Sequence, residues 1–121
     1  LDVTRFDTRN VTSMKGMFSG CSALTKLDVS NFDTSKVIDM DEMFFYCSSL
    51  TELDLTSFDT KNVTYMRWMF SGCSDLTKLD LSNFDTRNLT DTDNMFSDCS
   101  SLTTLNCNDE RIRQVYKMSD I

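Results

Sequence analysis

An α/β repeat solenoid is the fold class that the sequence predicts: a right-handed coil with a narrow parallel sheet on one wall and short helices or 3₁₀ turns on the other. Three observations predict it. Phe6, Phe32, Phe58 and Phe84 stand 26 residues apart, and the ladders Cys21, Cys47, Cys73, Cys99 and Leu24, Leu50, Leu76, Leu102 keep that interval without insertion or deletion. Leu27 and Val29 alternate with Lys26, Asp28 and Ser30, the period of two that turns one face of a short strand inward. Val37, Met40, Met43, Phe44 and Cys47 then follow at spacings of three, three, one and three, an inward helical or 3₁₀ stripe. A single unit of this kind cannot bury its apolar face, whereas stacked units share a continuous core.

One full unit runs from Leu24 to Ser49, and residues 1–107 hold about four of them. Its opening stretch, Leu24 to Phe32, follows the leucine-rich-repeat pattern L-x-x-L-x-L-x-x-N with one substitution at the final spacing. Phe32-Asp33-Thr34 turns the chain. Glycine occurs three times and proline never, so the tight bends fall to Asn, Asp, Ser and Thr, whose side chains satisfy nearby backbone groups. After Cys107 the pattern stops. Residues 108–121 read as a C-terminal capping segment, helical in part, with apolar Ile112, Val115, Tyr116 and Ile121 and with Asp109 and Glu110 where a helix N-terminus prefers acids. The N-terminus shows no matching cap. Leu1 occupies the Leu27 position, so the chain begins in mid-pattern, as a piece of a longer protein would. An open strand edge there invites pairing with a preceding repeat or another chain, including end-to-end self-association.

The phrases Leu53-Asp-Leu-Thr-Ser-Phe-Asp-Thr-Lys-Asn-Val-Thr-Tyr-Met and Met69-Phe-Ser-Gly-Cys-Ser-Asp-Leu-Thr resemble the BspA-like leucine-rich-repeat surface proteins of bacteria, over residues 1 to about 107. That resemblance implies a secreted or cell-surface bacterial protein of a family associated with adhesion to host proteins, cells or other bacteria. It supplies no binding residue, and the tail at 108–121 lies outside it.

Composition removes several classes of function. Nineteen acidic against 12 basic side chains give a formal charge of −7, which repels phosphate backbones, so nucleic acid is not an expected partner. Histidine is absent, and with it the usual general base and the commonest transition-metal ligand. No run approaches the length of a membrane-spanning helix. The cysteines lack zinc spacing and read as free buried thiols, and the methionines read as core filling. No metal, cofactor or catalytic group is expected, and an enzyme is the weakest of the functional readings.

Two sets of residues remain as candidate partner-binding sites. Asp28, Asp54 and Asp80 alternate with buried aliphatics and face solvent, beside the column Lys26, Glu52, Lys78. Like charges opposite one another are destabilising, so either the lysines compensate them on a solvated face or the acidic stripe recruits a cation or a basic segment. Asp7, Asp33, Asp59 and Asp85, by contrast, read as turn and capping residues, and the threonines after them as bonded to backbone. On the helical wall, Phe45, Tyr46, Tyr65 and Trp68 replace small or charged residues of other units. Tyr65 and Trp68 are three apart on one expected helical face, so the four rings could form one exposed patch or fold down against the wall. The function these features suggest is cell-surface recognition of a protein partner. The alternative is a structural spacer with no ligand of its own.

Overall fold

The 26-residue interval of the sequence becomes a distance of a few ångströms in space. In the computed structural model, which describes residues 1–119, the Phe18, Phe44, Phe70 and Phe96 rings lie nearly parallel with successive centroids 5.8, 5.7 and 5.8 Å apart. Beside them, Met40, Met43, Met66, Met69, Leu50 and Leu76 are wholly buried. Each such side chain contributes about 1.5–3 kcal/mol by leaving water.

Backbone hydrogen bonds join matching positions. The N–H groups of Phe18, Phe44 and Phe70 donate to the carbonyls of Met43, Met69 and Met95 at 2.9, 2.9 and 3.0 Å, and those of Glu42 and Trp68 to Arg67 and Asp93 at 2.9 and 3.0 Å. Isolated parallel bridges link Ser13, Asp39, Tyr65 and Asp91 along the same wall. Threonine hydroxyls add a second seam. Thr34 Oγ1 donates to the Asp59 carbonyl at 2.9 Å and accepts from the Asp59 N–H at 2.8 Å, and Thr60 repeats this with Asp85 at 3.0 and 2.8 Å. Thr8, Thr34 and Thr60 are buried, so the sequence reading of them as backbone-bonded turn residues is met by these contacts. Buried thiols form a third seam: Cys47, Cys73 and Cys99 donate to the carbonyls of Phe18, Phe44 and Phe70 at 3.2, 3.2 and 3.0 Å.

The predicted α/β repeat solenoid is nevertheless overturned. Regular secondary structure among the described residues consists of two three-residue strands, β1 (Lys78–Asp80) and β2 (Thr104–Asn106), paired in parallel, and one helix, α1 (Glu110–Met118). Along the wall where a continuous sheet was expected, only β1 and β2 pair among the described residues, and the wall expected to carry helices carries none.

Each failure has a local cause. On the second wall the spacing of three reflects tight turns, such as Cys47 N–H to Phe44 carbonyl at 3.1 Å and Ser71 N–H to Trp68 carbonyl at 3.2 Å. These turns are interrupted at Gly16, Glu42, Trp68 and Asn94, and again at Gly20, Tyr46, Gly72 and Asp98, all with φ between 53° and 78°. A right-handed helix cannot run through left-handed residues. On the first wall each extended stretch is short, because turns at 22–23, 48–49 and 74–75 precede it and turns at 30–31, 56–57 and 82–83 end it. No backbone bond joins residues 26–29 to 52–55 among the described residues.

The C-terminal end is covered by α1. Asp109 is its N-cap: Oδ1 accepts from the Ile112 N–H at 3.0 Å, while Oδ2 accepts from Thr86, the last member of the threonine seam. Ile112 is fully buried, the Tyr116 ring meets Phe96 edge-on at 5.7 Å, and the Tyr116 hydroxyl donates to the Leu102 carbonyl at 2.9 Å. The expected apolar contribution of Ile121 lies outside the described residues.

Candidate functional site

The aromatic surface is built by the turn wall. Phe45 meets Tyr46 edge-on at 4.6 Å and Trp68 edge-on at 6.1 Å, so a cluster of three rings spans two units. Tyr46 and Trp68 remain 44% and 39% exposed. Both sit at left-handed positions, with φ of 53° and 61°. At the first of these positions the other units carry Gly20, Gly72 and Asp98, and at the second Gly16, Glu42 and Asn94. A bulky residue in that conformation costs about 1–2 kcal/mol, which glycine avoids.

Tyr46 also lies along the wall. A Cβ at residue 72 would come within 2.5 Å of the Tyr46 ring, so only the glycine present there leaves room for it. Its hydroxyl reaches Asp98 Oδ2, two units away, at 3.4 Å. Tyr65 does not join the cluster. There is no shared helical face to bring Tyr65 and Trp68 together, and the Tyr65 ring instead lies 5.3 Å from the guanidinium carbon of Arg67.

Arg67 is a site residue that the sequence reading missed. Its Nε and Nη2 donate to Asp41 Oδ2 at 3.1 and 2.8 Å, and its backbone N–H donates to Asp41 Oδ1 at 2.7 Å. The Asp41 side chain is nearly buried while the Arg67 side chain is 43% exposed. The signal for this pair was present: the column Lys15, Asp41, Arg67, Asp93 alternates in sign. A fixed cation therefore stands one residue from Trp68, between Tyr65 and a buried carboxylate.

The second candidate surface is a groove of about 790 Å³ on the wall that carries β1 and β2. It gathers all six charged residues singled out from the sequence: Lys26, Asp28, Glu52, Asp54, Lys78 and Asp80. Leu27, Leu53 and Leu79 line it as well. The aspartates there are turn formers. Asp28 Oδ1 accepts from the Ser30 hydroxyl and N–H at 2.6 and 3.0 Å, and Asp54 Oδ1 from the Thr56 N–H and hydroxyl at 2.9 and 2.7 Å. Asp80 accepts from the Ser82 N–H at 2.9 Å. These bonds hold the three carboxyls below their ordinary value of 3.8, at Asp28 and Asp54 against the repulsion of neighbouring aspartates. The expected lysine compensation is not seen: among the described residues neither Lys26 nor Lys78 makes an ion pair. Asp33, Asp59 and Asp85 form the same kind of turn with Ser35, Lys61 and Arg87, in place of the capping of a helical turn.

The column thiols are poorly placed for chemistry. Burial pushes Cys47 and Cys99 up to about 12 and Cys73 further in the same direction, so the reactive thiolate is suppressed at neutral pH.

No match is found among curated proteins or among solved structures. The family whose model matches is not that of the BspA-like leucine-rich-repeat proteins that the Phe-Asp-Thr and Met-Phe phrases resemble, so that assignment is corrected. The match covers residues 1–106, nearly all of the chain ahead of α1, and on that extent the chain belongs to the family described as Mycoplasma protein of unknown function, DUF285.

Proposed function

We propose that this chain is a protein-recognition module whose contact surface is the Phe45–Tyr46–Trp68 cluster with Arg67 at its side. The carrying observation is where two of the rings sit. Trp68 and Tyr46 hold left-handed backbone at positions filled in other units by Gly, Asn, Asp or Glu, and both stay substantially exposed. Backbone strain of this kind concentrates at binding sites, and both rings keep a large exposed face. Aromatic and arginine side chains supply most of the affinity at protein interfaces. The groove aspartates, occupied with turns, support a structural role for that face.

Trp68 is the single tryptophan of the chain, so its emission reports on the site. Panning a random peptide library against the immobilised protein should enrich peptides that shift this emission. Binding of those peptides should disappear in the Tyr46→Gly, Trp68→Gly double variant while its far-ultraviolet spectrum stays unchanged. Peptides that bind the double variant equally well would overturn the reading. A library with no enrichment over that variant would favour the spacer alternative.

A further inference from the structure

We infer that the partner of the aromatic surface is a basic segment of a second protein, with an arginine laid on the Trp68 and Tyr46 rings between carboxylates of the neighbouring units. The inference rests on the reading of that cluster as a contact surface and adds the chemistry of what it contacts. Charge on the same wall carries it. Residues 39–46, 65–72 and 91–98, which build the wall around the rings, hold six carboxylates and a single cation, Arg67. The matching stretch of the first unit, residues 13–20, has no carboxylate and, apart from the buried Phe18, no aromatic side chain. Acids and exposed rings therefore occur together. Asp41 alone among the six is paired; Asp39, Glu42, Asp91, Asp93 and Asp98 are half-buried or exposed and make no ion pair among the described residues.

The acids follow the rings. Parallel bridges set Asp39 and Asp91 on either side of Tyr65. Glu42 is the counterpart of Trp68 one unit earlier, and its backbone N–H donates at 2.9 Å to the carbonyl of Arg67, the residue before Trp68. Asp98 Oδ2 accepts from the Tyr46 hydroxyl at 3.4 Å. One ring–carboxylate pair of this wall is already filled from within the chain: the Arg67 guanidinium carbon lies 5.3 Å from the Tyr65 ring centroid while its nitrogens bond Asp41. Trp68 with Glu42 and Tyr46 with Asp98 offer the same combination with no cation from the described residues. A guanidinium suits it, since it stacks on a ring face and at the same time bonds a carboxylate in its own plane. Arg67 does not turn the surface toward an acidic partner, because two of its nitrogens are spent on Asp41 and five unpaired carboxylates surround it. Nor is a second copy the occupant: chains of charge −7 repel one another, and five of the six arginines are already in ion pairs.

The test uses the full chain and three end-blocked peptides: alternating arginine and glycine, and the same peptide with citrulline or with glutamate in place of arginine. Titration calorimetry, with Trp68 emission as a second reading, should find binding of the arginine peptide alone. Glu42→Gln combined with Asp98→Asn removes two flanking charges and leaves the rings in place. It should weaken that binding roughly tenfold while the far-ultraviolet spectrum stays unchanged. Tyr46→Gly combined with Trp68→Gly should abolish it. Absence of binding by the arginine peptide, equal binding of the citrulline peptide, preference for the glutamate peptide, or undiminished binding to the variant without the two rings would each overturn the inference. The wider reading fails separately. Library peptides that depend on Tyr46 and Trp68 but are acidic or uncharged would sustain the contact surface while this inference falls.

Discussion

The two ends of this molecule present equivalent residues in opposite circumstances. At the C-terminal end, α1 lays Ile112 and Tyr116 against the last unit, and Phe84, Leu89 and Leu102 are buried. At the N-terminal end, the counterparts Val11 and Leu24 are only partly covered, and Phe6 and Leu1 are exposed. Pattern alone therefore does not decide burial here. What decides it is whether the next layer is present, so one substitution should have different consequences at different heights in the stack.

The sharpest way to break the comparison is to truncate the same ring twice. Phe58→Ala should cost about 3–5 kcal/mol, as expected for a buried aromatic, while Phe6→Ala should cost less than about 1 kcal/mol. Urea unfolding of the two variants measures both. Equal losses would show that the N-terminal end is covered in solution.

Thr86→Val tests the joint between stack and helix. It removes the donor to Asp109 Oδ2 and should cost about 1–2 kcal/mol, with the loss concentrated in α1. Faster amide exchange across Glu110–Met118, with exchange near Phe44 unchanged, is the expected signature. A uniform increase would place Thr86 in the common core.

Acid should separate the ends as well. Burial alone would raise the Asp109 carboxyl, but the bonds from Thr86 and Ile112 and the charge of Arg111 outweigh it and hold the group below 3.8. The folded-state value is thus depressed, so its stabilisation is complete above the unfolded-state value and is lost as pH falls through the folded one. Helicity of α1 should be constant above roughly pH 5 and decline below about pH 4. Asp28 and Asp54 act in the same direction on the turns of the groove. A decline in helicity beginning near neutrality would contradict this assignment.

The smallest effect is expected at the aromatic cluster. Trp68→Gly relieves a left-handed tryptophan but removes its contact with Phe45, so stability should stay within about 1 kcal/mol of the parent. A thermal or urea series that showed a larger loss would make Trp68 a packing residue rather than a contact residue.

The sequence made the columns legible and the walls much less so. Equal spacing of Phe18, Phe44, Phe70 and Phe96 translates directly into stacked rings, because identical side chains in register pack against one another. The wall conformation could not be read in the same way. A spacing of three suits a helix, a 3₁₀ segment or a chain of tight turns equally well, and what separates them is the sign of φ at Gly16, Glu42, Trp68 and Asn94. Only glycine and asparagine hint at a left-handed position, and in the second and third units that hint is hidden by Glu42 and Trp68. The Asp28 column was read correctly as solvent-facing, but its bond to Ser30 is a two-residue local contact that alternation with aliphatics does not reveal. At the site, three of the four rings meet. Tyr65 departs because the turn wall gives it no helical face in common with Trp68; its ring lies beside Arg67, which is fixed by Asp41, a partner 26 residues away.

Amide exchange at two positions on the turn wall gives the most direct test of the stacked arrangement. Glu42 is half-buried and Trp68 exposed, yet their backbone N–H groups donate to Arg67 and Asp93 in the following unit. Residue-resolved exchange should find both amides protected as strongly as those of Phe44 and Phe70. Exchange of Glu42 and Trp68 at the rate of an unstructured chain, with Phe44 and Phe70 still protected, would contradict the account.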